Sequence, residues 1–395
     1  MFSSRLDWGL RPNRLSVLLD AKRRAGAPIL DLTESNPTRA GFLYPGAQIL
    51  EAICDPRSLI YEPLPAGSTE ARAAVAGYYR ARGHTVAPER ILLTASTSES
   101  YAWLFKLLAN PGDEVLVPRP SYPLFEFLAA LESVRVVQYP LVYDGCWSVD
   151  LEALERSLAP RTRAIVLVNP NNPTGSFLKR DELARLVALG IPLISDEVFS
   201  DYAFRPDPAR VSTLVDLEAP LTFCLSGLSK IAGLPQMKLG WMVARGPAIE
   251  RLELIADTYL SVSAPMQNAL PLLLEAGVAV QHQIARRTAS NLERLRDAVG
   301  ADSACQVLDV EGGWYATLRI PRTRTEEEWT LLLLERDNVL VQPGFFYDFD
   351  SEAYLVLSLL TPPEVFREGL ARLLETTKHR TATVRERSPR ESAPS

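Results

Sequence analysis

Apolar positions come in two rhythms along this 395-residue chain. Through the middle, short continuous apolar runs recur: ILL, EVLVP, TRAIVLV, IPLIS, LTFCL and GWMVA. TRAIVLV, for example, ends at Asn-Pro, and such short runs read as strands buried on both faces. Between them lie stretches with helical spacing. DELARLVALG places Leu183, Leu186 and Val187 on one side, with Gly190 as a stop. STSESYAWLFKLLA opens on hydroxyl residues suited to capping a helix. Strands alternating with helices predict an α/β unit, a mainly parallel sheet between two layers of helices. From about Ala279 the rhythm changes. Long charged helices (HQIARRTASNLERLRDAV, TEEEWTLLLLERD) alternate with short strands (WYATLRI, YLVLSLL), which predicts a smaller α+β domain. The expected division is residues 1–40 as an N-terminal segment packing on the small domain, 41–278 as the large domain and 279–377 as the small one. Residues 378–395, polar and Pro/Ser-rich, are expected to form a disordered tail.

Composition narrows the function classes. The length suits two domains of roughly 100–200 residues. A net charge of −6 argues against a nucleic-acid binder. No apolar run approaches the ~20 residues of a membrane helix, and the N-terminus shows no signal-peptide core. Cys54, Cys146, Cys224 and Cys305 share no metal-like spacing and read as reduced thiols, so a cytoplasmic protein is expected. With only three histidines (His84, His282, His379), proton chemistry is expected to run on another base, and lysine moves forward.

The candidate chemistry falls at strand ends, where ligands collect in open α/β sheets. Ser96 and Thr97 follow ILL, Asn172 follows TRAIVLV, Asp196 follows IPLIS, and Lys230 follows LTFCL. Each has a plainer account: a surface lysine at a turn, a helix cap at Asp196, a turn former at Asn172, N-caps at Ser96, Thr97 and Ser98. Together they suit pyridoxal phosphate. A lysine forms its Schiff base, a carboxylate keeps the pyridine nitrogen protonated, an amide donates to the phenolic oxygen, and a helix N-terminus takes the phosphate. Lys238 adds a positive charge for the phosphate, and Tyr122 a ring to stack on the cofactor.

The stretches YEPLPAGSTEAR, TASTSES, PSYPLF, NPNNPTG, SDEVF and SGLSKIAGLPQMKLGW stand in this order. Over roughly residues 28–375 the chain thereby resembles the class I/II, fold-type I pyridoxal-phosphate aminotransferases. The resemblance implies a large domain with a mainly parallel seven-stranded sheet between helices, plus a smaller α+β C-terminal domain. It implies Lys230 as the Schiff-base lysine, Asp196 as the pyridine partner, Asn172 as the phenolic-oxygen donor and Tyr122 as the stacking ring. It further implies Ser96, Thr97, Ser229 and Lys238 as phosphate contacts. Tyr61 would reach the phosphate across a dimer interface, so a homodimer with shared sites is implied.

The implied activity moves an amino group between an amino acid, or another amine, and a 2-keto acid. Four positions depart from the family pattern, and the last keeps rivals open. Phe199 stands where the family has a tyrosine, Ala95-Ser96 where Asn-Gly is common, Lys238 where the phosphate arginine is usual, and Val356 where the substrate-carboxylate arginine is expected. Arg39 and Arg119 are the alternative cations. A lyase, decarboxylase or synthase on the same fold is the alternative outcome, and a non-catalytic cofactor-binding protein a further one.

Overall fold

In the computed structural model the described residues are 2–385, apart from Asp7, Leu10, Pro220, Ala301 and Asp302. From residue 379 onward only the backbone is described. The central sheet has eight strands. In spatial order they are Ile91–Thr94, Gly240–Val243, Thr222–Gly227, Leu193–Asp196, Thr162–Val168, Glu114–Arg119, Arg135–Tyr143 and Trp147–Val149. The five strands from Thr222–Gly227 to Arg135–Tyr143 are mutually parallel. Gly240–Val243 runs against both neighbours. The expected count of seven is exceeded by the edge strand Trp147–Val149, which folds back antiparallel on its predecessor. At three residues it is too short to register as an apolar run.

The continuous apolar runs are explained by burial on both faces. Leu93, Leu116, Ile165, Leu167 and Leu193 pack into a core on one side of the sheet. Leu92, Val115, Val117, Val166 and Ile194 pack into another on the opposite side. Alternate residues of one strand thus serve different cores, so no polar face survives in the sequence.

The second body centres on a four-stranded antiparallel sheet, in the order Gln306–Val307, Tyr315–Arg319, Tyr354–Ser358, Gln342–Pro343. Its core gathers Leu318, Trp329, Leu333, Leu355 and Phe366. Leu30–Asp31 pairs in parallel with Val339–Leu340, and Leu15 packs with Leu334 and Leu340. The early residues therefore lie against this body.

Two helices run past their expected limits. One spans Ala264–Ala298 with Pro271 inside it, crossing the position where the sequence rhythm changes. The last helix runs Pro363–Arg385, so part of the stretch expected as a disordered tail is helical backbone. Residues 386–395 lie outside the described residues. Among the described residues no helix is long and apolar enough to cross a membrane.

Candidate active site

The parallel register brings the strand ends level. Val168 pairs with Asp196, and Asp196 with Leu225, so three strands finish along one rim. Thr94 joins this rim through Gly240, which pairs with both Thr94 and Gly227. A cleft opens here, lined by Thr97, Ser98, Tyr122, Asn172, Asp196, Ser229 and Lys230, among others.

Lys230 is carried on a single helical turn, Leu228–Ile231, directly after Thr222–Gly227. Close packing fixes that turn. A Cβ on Gly227 would lie 2.8 Å from Gly240 Cα, so only glycine lets the two strand ends meet. The Tyr202 hydroxyl donates to the Lys230 carbonyl at 2.7 Å. The amine sits 5.0 Å from the centroid of the Trp314 ring and 5.6 Å from that of Phe199. Burial lowers its pKa from 10.5 to about 8, against the opposing pull of Asp196. Phe199 packs edge-on against Trp314 at 5.2 Å and brings no hydroxyl to the cleft.

Asp196 ends its strand and turns its carboxylate into the cleft. Oδ1 accepts from the Val198 N–H at 3.2 Å, and Oδ2 from the Tyr101 hydroxyl at 3.1 Å. Burial nevertheless raises its pKa from 3.8 to about 6, because desolvation outweighs those two donors and the charge of Lys230.

The turn NPNNPTG holds three asparagines with different fates. The Asn169 amide donates to the Val211 carbonyl at 2.7 Å, and its oxygen accepts from the Leu178 N–H at 3.0 Å. The Asn171 amide donates to Pro120 O and Thr174 Oγ1, both at 2.9 Å, and its oxygen accepts from the Ser121 hydroxyl at 2.9 Å. These two knit the turn together. Asn172 is buried, lines the cleft, and its Oδ1 has no partner. An amide oxygen only accepts, so what Asn172 can offer a ligand group as a donor is its Nδ2 amide.

The helix Thr97–Leu108 opens on the same cleft. Ser96 is its N-cap, and its Oγ accepts from the Glu99 N–H at 3.3 Å. Thr97 and Ser98 line the cleft; Ser96 does not. Glu99 folds back over this end, accepting from the Ala95 N–H and the Ser261 hydroxyl, both at 2.7 Å. The first amides of the helix and its dipole still favour an anion at this end.

Other expected residues stand apart. Lys238 is exposed in a left-handed conformation with φ of 49° and does not line the cleft. Tyr61 is 80% exposed and lines a separate pocket with Trp103, Leu260 and Gln267. Arg119 pairs with Asp350 at 3.0 Å, and neither it nor Arg39 lines the cleft. Val356 is wholly buried in an apolar cluster with Phe199, Trp314 and Tyr315.

Sequence reasoning missed Ser35, Tyr101 and Tyr315, all of which line the cleft. Tyr101 was findable, because it lies one turn after Thr97 on the same helix face. Ser35 and Tyr315 arrive from the N-terminal segment and the small sheet, and nothing local marks them.

The residues fit pyridoxal phosphate. The partly desolvated amine, the donor-held carboxylate, the Asn172 amide N–H and the open helix end match its aldehyde, ring nitrogen, phenolic oxygen and phosphate respectively.

Comparison with known proteins agrees. The family model for aminotransferase class I and II matches residues 47–373. The glutamate-pyruvate aminotransferase AlaA of Escherichia coli (strain K12) is 32% identical over 292 residues, covering 68% of this chain and 69% of that protein. The S-alkyl-thiohydroximate lyase SUR1 of Arabidopsis thaliana is 33% identical over 224 residues, covering 53% and 48%. A crystal structure of an aminotransferase from Escherichia coli superposes with a TM-score of 0.83 at 26% identity, covering 96% of this chain and 98% of that one. A match that takes in both bodies of the fold and every strand end of the cleft leaves one assignment: the chain belongs to the class I and II aminotransferases, which use pyridoxal phosphate.

Proposed function

We propose that Lys230 is the residue that binds the cofactor and moves the proton in this aminotransferase, with Asp196 and Asn172 setting the cofactor's electronics. The observation that carries the reading is a partly desolvated amine, its pKa near 8, sharing one cleft with a carboxylate and a buried side-chain amide. Bound pyridoxal phosphate supplies an aldehyde that condenses with amines and a protonated ring that accepts electrons. The chain does the rest. Asp196, fixed by Tyr101 and Val198, holds a proton at the ring nitrogen. Asn172 donates to the phenolic oxygen. Thr97, Ser98 and Ser229 take the phosphate at the helix end, with Ser96 shaping that end as its cap. Lys238, on the segment leading into Gly240, is assigned the positive charge for the phosphate. Tyr122 covers the ring face. Once displaced by a donor amine, Lys230 Nζ removes the proton from the donor's α-carbon, and a pKa near 8 suits that work at neutral pH.

The working form is read as a homodimer in the cytoplasm, with amino donor and 2-keto acid as substrates. Leu50, Leu59, Ile60, Tyr61 and Leu272 are exposed apolar side chains. They sit on segments that pack on one another, the long helix against Gly46–Ile53 and Pro56–Leu59. Such a patch suits a second copy, and Tyr61 on it would reach that copy's phosphate. Similarity to an S-alkyl-thiohydroximate lyase favours a second reading, a lyase reaction on the same residues.

The test is chemical trapping. Holoenzyme reduced with borohydride should retain the cofactor's mass on the peptide containing Lys230, and Lys230→Ala should not. Label on another lysine would overturn the assignment. Release of pyruvate or ammonia from a β-substituted donor, without formation of the amine form of the cofactor, would favour the lyase.

A further inference from the structure

One turn of the small sheet reaches the lysine. Glu311, Gly312 and Gly313 lead to Trp314 and the strand Tyr315–Arg319, and they lie against the large body. The Gly312 N–H donates to the Gly175 carbonyl, the Gly313 N–H to the Tyr202 carbonyl and the Phe204 N–H to the Glu311 carbonyl, all at 3.0 Å. The buried Glu311 carboxylate fastens the turn. It accepts from the Phe177 N–H at 2.8 Å, from Lys179 Nζ at 2.6 Å and from Arg210 Nε at 2.8 Å.

This docking delivers a wholly buried indole to the amine. Lys230 Nζ lies over the Trp314 ring at 5.0 Å from its centroid and over the Phe199 ring at 5.6 Å. Tyr202 sets the spacing. Its hydroxyl donates to the Lys230 carbonyl at 2.7 Å, and its ring packs edge-on against Trp314 at 5.3 Å. An ammonium within about 6 Å of a ring centroid is drawn to the negative face of the ring, most strongly by Trp and where water is scarce. A neutral amine has no such charge to offer. The titratable groups around it are Asp196, which favours the charged amine, and the phenols of Tyr101, Tyr122, Tyr202 and Tyr315. Burial pushes all four phenols up, so they stay neutral where the lysine titrates.

Resting on Lys230 as the proton carrier, we propose that Trp314 and Phe199 are positioning residues, an aromatic seat for the Lys230 ammonium that Tyr202 holds in place. When Nζ takes the donor's α-proton it becomes a cation in a partly desolvated place. The two ring faces stabilise that cation and keep it beside the carbon to or from which the proton passes.

The experiment reads the amine without turnover. Full-length apoenzyme is mixed with pyridoxal phosphate across pH, and the rate of covalent capture locates the pH at which the amine loses its proton. Borohydride reduction and peptide mass identify the captured lysine. Trp314→Leu leaves an apolar side chain but removes the ring face. The inflection should fall by about half to one and a half pH units, and Trp314→Phe should restore most of it. In holoenzyme, kcat of Trp314→Leu should fall by about two- to thirtyfold with KM little changed. An inflection that stays, that rises because water enters, or that Trp314→Phe does not restore overturns the seat. Should Trp314→Leu not fold, Phe199→Leu decides. Its inflection should also fall, by less, and an unmoved or raised one overturns the proposal. Capture at Lys230 throughout leaves the assignment of that lysine standing whichever way the inflection moves. Capture at another lysine overturns that assignment, and the seat with it.

Discussion

The Tyr101 hydroxyl donates to Asp196 Oδ2 at 3.1 Å, opposite the Val198 N–H on Oδ1 at 3.2 Å. The carboxylate is thereby held from both sides, and each donor favours its charged form. Hydrogen bonds to charged groups contribute about 1.5–3 kcal/mol. Tyr101→Phe should push the Asp196 pKa further up and weaken cofactor binding by about ten- to hundredfold, with a fall in kcat. Titration of apoenzyme with pyridoxal phosphate measures this. An unchanged affinity and an unchanged kcat–pH profile would show that the bond only packs the core.

That pair also shows what the sequence reveals and what it hides. Lys230, Asp196, Asn172 and Thr97 were legible because each follows an apolar run, and a parallel sheet must collect such ends on one rim. Phe199 and Val356 were legible as departures: Phe199 lines the cleft as an apolar ring, and Val356 is buried behind it. Ser35 and Tyr315 were not legible, because only tertiary packing of the N-terminal segment and the small sheet brings them in. The long helix Ala264–Ala298 was half hidden by Pro271, which removes one helical donor without ending the helix. Tyr61 and Lys238 stand outside the cleft of a single chain, where spacing alone cannot say what completes them.

The buried Asp196 and Lys230 of the cleft should cost the apoenzyme stability near neutral pH. The folded Asp196 pKa of about 6 lies above the ordinary 3.8, so the folded form holds the extra proton between those values. Its contribution therefore falls as pH rises through that window. The folded Lys230 pKa of about 8 lies below 10.5, so the unfolded form holds more protons between those values, and stability recovers as pH rises there. Asp196→Asn should raise apoenzyme stability at pH 7 by about 1–3 kcal/mol while abolishing turnover. Chemical denaturation of apoenzyme across pH measures both limbs. A destabilised Asp196→Asn apoenzyme would contradict this account.

A lowered lysine pKa also predicts how fast the apoenzyme takes up its cofactor. Only the neutral amine attacks an aldehyde, and an amine with pKa near 8 is neutral in roughly one molecule in ten at pH 7. The rate of covalent capture of pyridoxal phosphate should rise with pH and level off above about 8. Stopped-flow absorbance would show the inflection. A rise that continues to pH 10 would mean that burial does not depress this amine.

Gly227 is the place where a single methyl group should disconnect fold from function. Its neighbour across the strand pair is backbone, with Gly240 Cα 2.8 Å and Leu239 O 3.0 Å from the position of an added Cβ. Backbone cannot rotate away as a side chain can, so Gly227→Ala must part the two strand ends. The displaced segment leads directly into Leu228–Ile231 and carries Lys230 with it. Gly240 in turn lies against Ser96, its own Cβ position being 3.2 Å from the Ser96 carbonyl carbon, so the helix end shifts too. Overpacking of this kind costs about 1–3 kcal/mol, which a domain with two large cores should survive. A displacement of 1 Å at the reacting group, however, can cost about 10²-fold in rate. The expected result is a folded protein with a modestly lower Tm, weaker cofactor retention and a kcat reduced by about 10²-fold. Gly246→Ala serves as the control, since that glycine has a φ of 60° but no atom within 4 Å of the added carbon. It should lower Tm through backbone strain while leaving kcat intact. Equal effects on kcat in the two variants would show that strand contact at Gly227 does not position the lysine.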